Sequence, residues 1–390
     1  MKKRRNLDNV SFEDEGKKTG KGKRFHQKIK PYVVLQYLLK YSDEDHVVSA
    51  QGIVDGLFEL YKMQAEKRAI YSDINEINAV ALMMREECTI TEAAEMLEEN
   101  KNDDLRMVVY DPHRKGFYVR ERSFALDELR LLAECVYAAK FVSASAAKRM
   151  IGSIGEFASD FQKEIIEHDV YLADRVKTNN AQVMLIIDEL NKAIKGYRDD
   201  DGVKHMPCKV SFHYLKYEIN NLKTQVERRK GKPYIVSPYK LMISDGNYYL
   251  LAYNEQRKKI YHYRIDRMRN VSLLEELREG EEEYQKLDIR TYSQQLFGMY
   301  GGKKEYVTIR FIPPLLDTMV ERFGTNAQYK VIDKDHYSVN APVEVSDQFY
   351  GWVLGFGKKV VITSPPAAVK DLTLYLDKVR EKYSESFNVQ

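Results

Sequence analysis

Cysteine, tryptophan and long apolar runs are all scarce in this 390-residue chain, which has three Cys and one Trp. Cys88, Cys135 and Cys208 are odd in number and far apart, with no Cys-x-x-Cys pair. That spacing excludes a disulfide framework and a structural zinc site, and leaves each Cys as a small core residue. The longest apolar stretches, such as Ala79 to Met84, fall far short of the roughly 18 residues of a spanning helix. No membrane partner is expected. The basic start, Met1 to Arg5, is not followed by an apolar core of about 7–15 residues, so no signal peptide and a cytoplasmic protein are expected. Catalytic signatures are missing too: there is no Gly-x-Ser-x-Gly elbow, no phosphate-binding loop and no His-Glu-x-x-His. No enzyme, catalytic set, metal or cofactor is expected.

What is present is ordinary globular material, 44% hydrophobic and 31% charged, enough for two to four domains at roughly 100–200 residues each. Charge is uneven. Residues 1–30 hold eleven Lys/Arg against four Asp/Glu, a net of +7, which leaves the other 360 residues at −4. Residues 1–28 read as a basic disordered arm that attracts phosphates, or as a solvated tail.

Three helical segments follow: residues 29–41, Ser49 to Tyr61, and about Ala65 to Met84. On the third, Ile70, Ile74, Ile77 and Ala81 repeat at helical spacing, and Arg68, Tyr71, Ser72 and Asn75 lie opposite. Such a face suits a DNA major groove, although many solvated helices look alike. Residues 85–104 are acidic, with eight Asp/Glu against Arg85 and Lys101. Within them Thr89-x-x-Glu92 predicts a capping box. Strand-like runs at Leu105–Tyr110 and Gly116–Arg120 flank a turn carrying His113, Arg114 and Lys115. Helices followed by a basic-tipped hairpin give a winged helix-turn-helix order over 29–122, with 85–104 inserted. Residues 123–200 read as helical, a linker or dimerisation block.

From residue 204 the apolar period changes from helical to two: 209–214, 234–241, 248–253 and 260–265 alternate, separated by turns such as Asp245-Gly246-Asn247. Residues 201–285 therefore predict a small antiparallel barrel or sheet. Its tyrosines lie beside His213, Arg264 and Arg267, a composition that stacks bases and pairs phosphates, although strand tyrosines are often simply half-buried. Arg264 and Arg267 reach one pocket only if the strand ends or bends near Asp266. The six Glu within Glu275–Glu283 read as a solvated helix end or linker. Residues 300–390 read β-α-β-β-α-β plus a closing helix, a ferredoxin-like α+β order, with Trp352 buried and Gly351, Gly355 and Gly357 at a tight helix exit.

Val236-Ser-Pro238-Tyr239-Lys-Leu241, Asp245-Gly246-Asn-Tyr248-Tyr249-Leu250 and Tyr263-Arg264-Ile265-Asp266-Arg267-Met268 resemble the Pro-Tyr strand, the Gly-x-Trp-Tyr-Leu signature and the Phe-Arg-Leu-Asp-Arg-Ile strand of bacterial WYL-domain transcriptional regulators. Tyr248 stands where the family has Trp. Glu66-Lys67-Arg68-Ala69-Ile70-Tyr71-Ser72-Asp73-Ile74 is similar to that family's recognition helix, but Glu66, Ala69 and Ser72 depart from it. His113 to Val119 is similar to its wing, and Phe349 to Gly357 to the Trp-x-Leu-x-Phe-Gly pattern of its C-terminal WCX extension.

The resemblance implies an α+β multidomain chain: a winged helix-turn-helix, a helical linker, an Sm-like small β-barrel (the WYL domain) and a ferredoxin-like extension. It implies a homodimer on double-stranded DNA at an inverted-repeat operator. It also implies an anionic effector, a nucleotide or single-stranded nucleic acid. The DNA-binding expectation falls on Lys67, Arg68, Tyr71, Ser72, Asn75, His113, Arg114 and Lys115. The effector expectation falls on Tyr239, Tyr249, Arg264 and Arg267, with His213 and Tyr214 added by nearness in sequence. The alternative is an accessory single-stranded nucleic-acid-binding protein without promoter-specific regulation.

Overall fold

The computed structural model describes residues 27–100, 103–169, 177–287 and 302–387. The basic arm expected over 1–28 lies outside them except for its last two residues. The chain divides into two compact units, residues 1–134 with 150–171, and residues 135–149 with 172–390.

The first unit opens with α1 (Lys30–Tyr41), α2 (Ala50–Tyr61) and α3 (Lys67–Glu86). Ser49 caps α2 by accepting the Gly52 N–H. Val34, Leu38, Ile53, Leu57, Ile70, Ile74 and Ile77 meet in one core, so the stripe expected on α3 is the buried one. Ala81 is only half-buried, and Leu82 turns instead to α4 (Ile90–Glu99). The Thr89–Glu92 capping box is formed.

β1 (Val108–Asp111) and β2 (Gly116–Val119) form the hairpin, and Val48 adds a bridge to Phe117. Asn78, buried on α3, clamps the hairpin to the helix. Its amide donates to the Val108 carbonyl at 2.9 Å and accepts the Val108 N–H at 2.8 Å. Asp73 is also buried and pairs with Lys30 at 3.1 Å. Asp73 thus serves internal packing in this chain.

Then come α5 (Leu126–Ala138), α6 (Ala144–Gly155) and α7 (Asp160–Asp169). Cys135 on α5 is exposed and Cys88 half-buried, so only Cys208 is the core residue expected of all three.

In the second unit α8 (Val183–Lys195) lays Val183, Ile186, Leu190 and Ala193 against a sheet. After a two-residue pair, β3 (Tyr197–Arg198) with β4 (Lys204–His205), the sheet is built from β5 (Cys208–Glu218), β6 (Asn221–Glu227), β7 (Tyr234–Ser244), β8 (Asn247–Asn254), β9 (Lys259–Arg264) and β10 (Met268–Leu277). All pairings are antiparallel, in the order β10-β5-β7-β8-β9, with β6 on the far half of β5.

That order forces the sheet to curl. Four strand spacings of about 4.8 Å would hold the outer strands ~19 Å apart in a flat sheet. Yet β9 and β10 are joined by only the 3₁₀ turn Ile265–Arg267, which spans roughly 8 Å. The end strands must converge, and the turn sits where they do.

Two strands exceed the sequence reading. β6 lies outside the runs read as strands, although Leu222, Thr224 and Val226 alternate with Lys223, Gln225 and Glu227. β10 runs through Glu275 and Glu276, expected to lie in a linker, because its outer face is solvated and accepts charge. α9 (Glu281–Gln285) follows.

The C-terminal region is β11 (Lys303–Phe311), α10 (Leu316–Phe323), β12 (Gln328–Val331), β13 (Tyr337–Val345), α11 (Asp347–Leu354), β14 (Val360–Ser364) and α12 (Pro366–Phe387). The element order is the expected one, and the strands pair β12-β13-β11-β14. Val307, Ile309 and Phe311 alternate inward and meet Met319, Phe349 and Val353. Trp352 is half-buried rather than buried, edge-on to Phe323 and Phe356. No helix among the described residues is long and apolar enough to cross a membrane.

Candidate functional site

Each unit presents one candidate surface. On the first, Lys67, Arg68, Tyr71, Ser72 and Asn75 are all exposed, because the helical period that buries Ile70, Ile74 and Ile77 turns these outward. Tyr71 stands edge-on to Phe117 of the hairpin, with ring centroids 5.3 Å apart. Asn75 is the worst placed of the set, since it borders the groove that α3 makes with acidic α4.

At the hairpin tip His113, Arg114 and Lys115 are exposed. Asp111 shapes the turn by accepting the backbone N–H groups of His113 and Arg114. Those bonds, the Arg114 one first, hold the Asp111 carboxyl below the usual carboxylate range. The Arg114 guanidinium folds back onto Asp111 at 2.6 Å and onto the Glu44 carbonyl at 2.6 Å. A phosphate contact from Arg114 therefore has to displace or share these partners, whereas Lys115 makes no ion pair among the described residues.

On the second unit, the curl of the sheet encloses a cleft of about 760 Å³. Five arginines line it, Arg228, Arg229, Arg257, Arg264 and Arg267, against one lining carboxylate, Asp245. Arg264 is held bidentately by buried Asp266, at 3.0 and 2.8 Å. Arg228, Arg229 and Arg267 have no ion pair among the described residues. Three guanidiniums lie over tyrosine rings: Arg228 over Tyr214 at 5.3 Å, Arg229 over Tyr234 at 3.9 Å and Arg257 over Tyr261 at 5.6 Å. Tyr214 accepts the Arg264 backbone N–H at 3.0 Å, and burial pushes its phenol pKa up. The lining is thus cationic, aromatic and largely without counter-charge, chemistry that takes planar anions.

A WYL domain model matches residues 208–273, the strands that form this cleft, and a WCX domain model matches 303–378. The chain thus carries a WYL domain and a WCX domain, the pair that marks WYL-domain regulators. Among solved structures it is similar to one described as a CRISPR Cas-related protein, at 14% identity and TM-score 0.34, over 89% of this chain and 98% of the other. It is also similar to proteasome accessory factor B/C (PafBC) of Arthrobacter aurescens, at 12% identity and TM-score 0.27 over 91% of this chain. That match takes in 48% of the other protein, so the chain spans about half its length. No curated protein matches the chain.

The WYL cleft brings together Tyr214, Tyr249, Arg264 and Arg267 from the expected set. The bend the two arginines require is present: β9 ends at Arg264 and the 3₁₀ turn carries Arg267 round. Two expected residues do not line it. Tyr239 is the additional residue of a bulge between Pro238 and Lys240. Its hydroxyl donates to the Glu279 carbonyl at 2.7 Å and its ring stacks on Tyr284. His213 faces away from Tyr214 by strand alternation and pairs with Glu227 at 2.9 Å. Tyr248 packs on Phe141 instead of the cleft. Sequence reading missed Arg228, Arg229 and Arg257, which lie in or next to turns. The only signal for the first two was the basic run Arg228-Arg229-Lys230.

His262 of the WYL cleft supplies a pH test. Burial pushes its pKa down from 6.5 to about 4. Between those values the folded protein binds fewer protons than the unfolded chain. The stability present above pH 6.5 is therefore lost as pH falls through 4, by about 3 kcal/mol at 1.36 kcal/mol per unit. Urea midpoints should be flat above pH 7 and fall between pH 6.5 and 4, and His262→Gln should remove most of that slope. An unchanged slope in the variant assigns the loss to other groups.

Proposed function

We propose that this WYL-domain protein is a DNA-binding transcriptional regulator controlled by an anionic effector, a nucleotide or single-stranded nucleic acid, held in the arginine cleft. The observation that carries the reading is the cleft itself. Five arginines and one carboxylate line it; Arg264 alone of the five is ion-paired among the described residues, with Asp266 behind it, and three of the five lie over tyrosine rings. Stacked aromatics take bases, and guanidinium groups take phosphates.

The DNA-binding part is read as a winged helix-turn-helix. Support comes from α2 and α3 joined by a short turn, the exposed α3 face, and the hairpin clamped to α3 through Asn78. In this reading α3 enters the major groove, and Lys67 and Lys115 meet phosphates. Residues 201–285 are read as the Sm-like barrel and 300–390 as the ferredoxin-like extension. The helices of 123–200 are read as linker and dimerisation block. A homodimer then places two α3 helices on an inverted-repeat operator.

The test is selection of genomic DNA fragments by the purified protein, with and without short single-stranded oligonucleotides. Expected is a palindromic site beside a promoter, with its occupancy changed by the oligonucleotide. Uniform binding that falls steeply with salt and enriches no site would overturn the regulator, and would leave an accessory single-strand binder.

A further inference from the structure

Two turns bring side chains to the WYL cleft. One is Asp245-Gly246-Asn247, from which Asp245 and Asn247 line it; the other, Ile265–Arg267, carries Arg267 and follows Arg264. Both turns are tied by hydrogen bonds to residues that do not line the cleft.

Asn180 holds the second turn at its middle residue and just past its end. Its amide nitrogen donates to the Asp266 carbonyl at 3.2 Å and to the Met268 carbonyl at 2.8 Å. The carboxylate of that same Asp266 grips Arg264. The first turn is held by the Lys140 N–H, which donates to the Gly246 carbonyl at 2.8 Å. Gly246 has φ +73°, and a Cβ there would meet the Ala138 carbonyl at 3.4 Å.

The two ties join. The Lys140 carbonyl accepts the Thr178 N–H at 3.0 Å. The Lys177 ammonium donates to the carbonyls of Tyr137 and Ala139, at 2.7 and 3.3 Å, and lies 4.8 Å from the Tyr137 ring centroid. Helix ends leave carbonyls unpaired, and a cation there is doubly suited. Thus the C-terminal end of α5, the segment 177–180 and both cleft turns form one hydrogen-bonded circuit.

We infer that Asn180 and Lys177 are positioning residues that couple occupancy of the arginine cleft to the end of α5. An anion that draws Arg264 and Arg267 inward moves the backbone of the turn that Asn180 holds. Asn180 and Lys177 sit on one four-residue segment, so that displacement is delivered to the α5 carbonyls. From α5 the chain leads back toward the helix and hairpin proposed to bind DNA. The inference rests on the proposed effector role of the cleft.

The experiment uses the full chain, a 5′-phosphorylated random-sequence hexadeoxynucleotide, and the duplex site selected by the wild-type protein. The dissociation constant of each is measured with and without saturating amounts of the other. The ratio is the coupling, and it must be the same in both directions. Wild type is expected to show a ratio of roughly 5–150. Asn180→Leu and Lys177→Met should bind each ligand alone within about threefold of wild type, with the ratio collapsing to about one. Lys177→Arg keeps the cation and its donors and should keep most of the ratio. Wild-type ratios in both Asn180→Leu and Lys177→Met overturn the inference and leave the effector reading standing. Loss of hexanucleotide binding in the variants makes the circuit a support of the cleft alone, which also overturns it. A ratio of one in the wild type overturns the effector reading itself.

Discussion

Arg267→Ala should weaken binding of a single-stranded oligonucleotide about ten- to a hundredfold while leaving the melting temperature nearly unchanged. The guanidinium lines the cleft without an ion pair among the described residues, so its removal strands no carboxylate. What is lost is a hydrogen bond to a charged group, about 1.5–3 kcal/mol. Arg264→Ala is the more obvious choice and the worse one. Its partner Asp266 is 5% exposed and gripped at two points. Truncating one half of such a pair costs about 3–5 kcal/mol. Arg264→Ala should therefore lower both affinity and melting temperature, by roughly 10 °C at 2–4 °C per kcal/mol. Titration calorimetry and thermal melts on the two variants separate the cases. Unimpaired oligonucleotide binding by folded Arg267→Ala means the ligand sits elsewhere.

The second large effect is on DNA. Arg68→Ala should cost about 1–3 kcal/mol at the selected duplex site and relax the preference for one base pair, as loss of a base-reading arginine does. Lys115→Ala should instead weaken binding evenly across sequences and reduce the salt slope by about one. Both side chains are exposed, so the fold should not register either change. Competition binding against a library of single-base variants of the site distinguishes the two. If Arg68→Ala keeps the full base preference, α3 does not read the groove.

The fold was legible where periodicity was strong. The stripe of Ile70, Ile74 and Ile77 placed α3, and the alternation over 209–214, where Val210, Phe212 and Tyr214 are the buried apolar residues, placed β5, because burial on one face leaves its period in the sequence. β10 was missed where Glu275 and Glu276 decorate an outer face, since a solvated edge carries no apolar period. Within the site, Arg264 and Arg267 were legible from the strand motif. Arg228, Arg229 and Arg257 were not, because a basic turn looks the same in sequence whether it meets water or a ligand. Only the curl of the sheet, a property of strand order, brings them together. Tyr239 shows the converse: one inserted residue at a bulge turns a motif tyrosine away from the cleft it was expected to line.

The crowding of five guanidiniums, only one of them ion-paired among the described residues, in the lining of one cleft also bears on how long the protein lasts in a cell. Like charges held together in a partly desolvated space repel, so an anion placed among them relieves a repulsion that the fold otherwise carries. Any anion that fills the space adds stability in proportion to its concentration, about 2.7 kcal/mol at a hundredfold excess over its dissociation constant. Proteases and chaperones continuously cull the unfolded fraction. With the proposed effector as that anion, a cell poor in it would hold fewer copies of this protein, and its supply would be recorded in abundance as well as in occupancy.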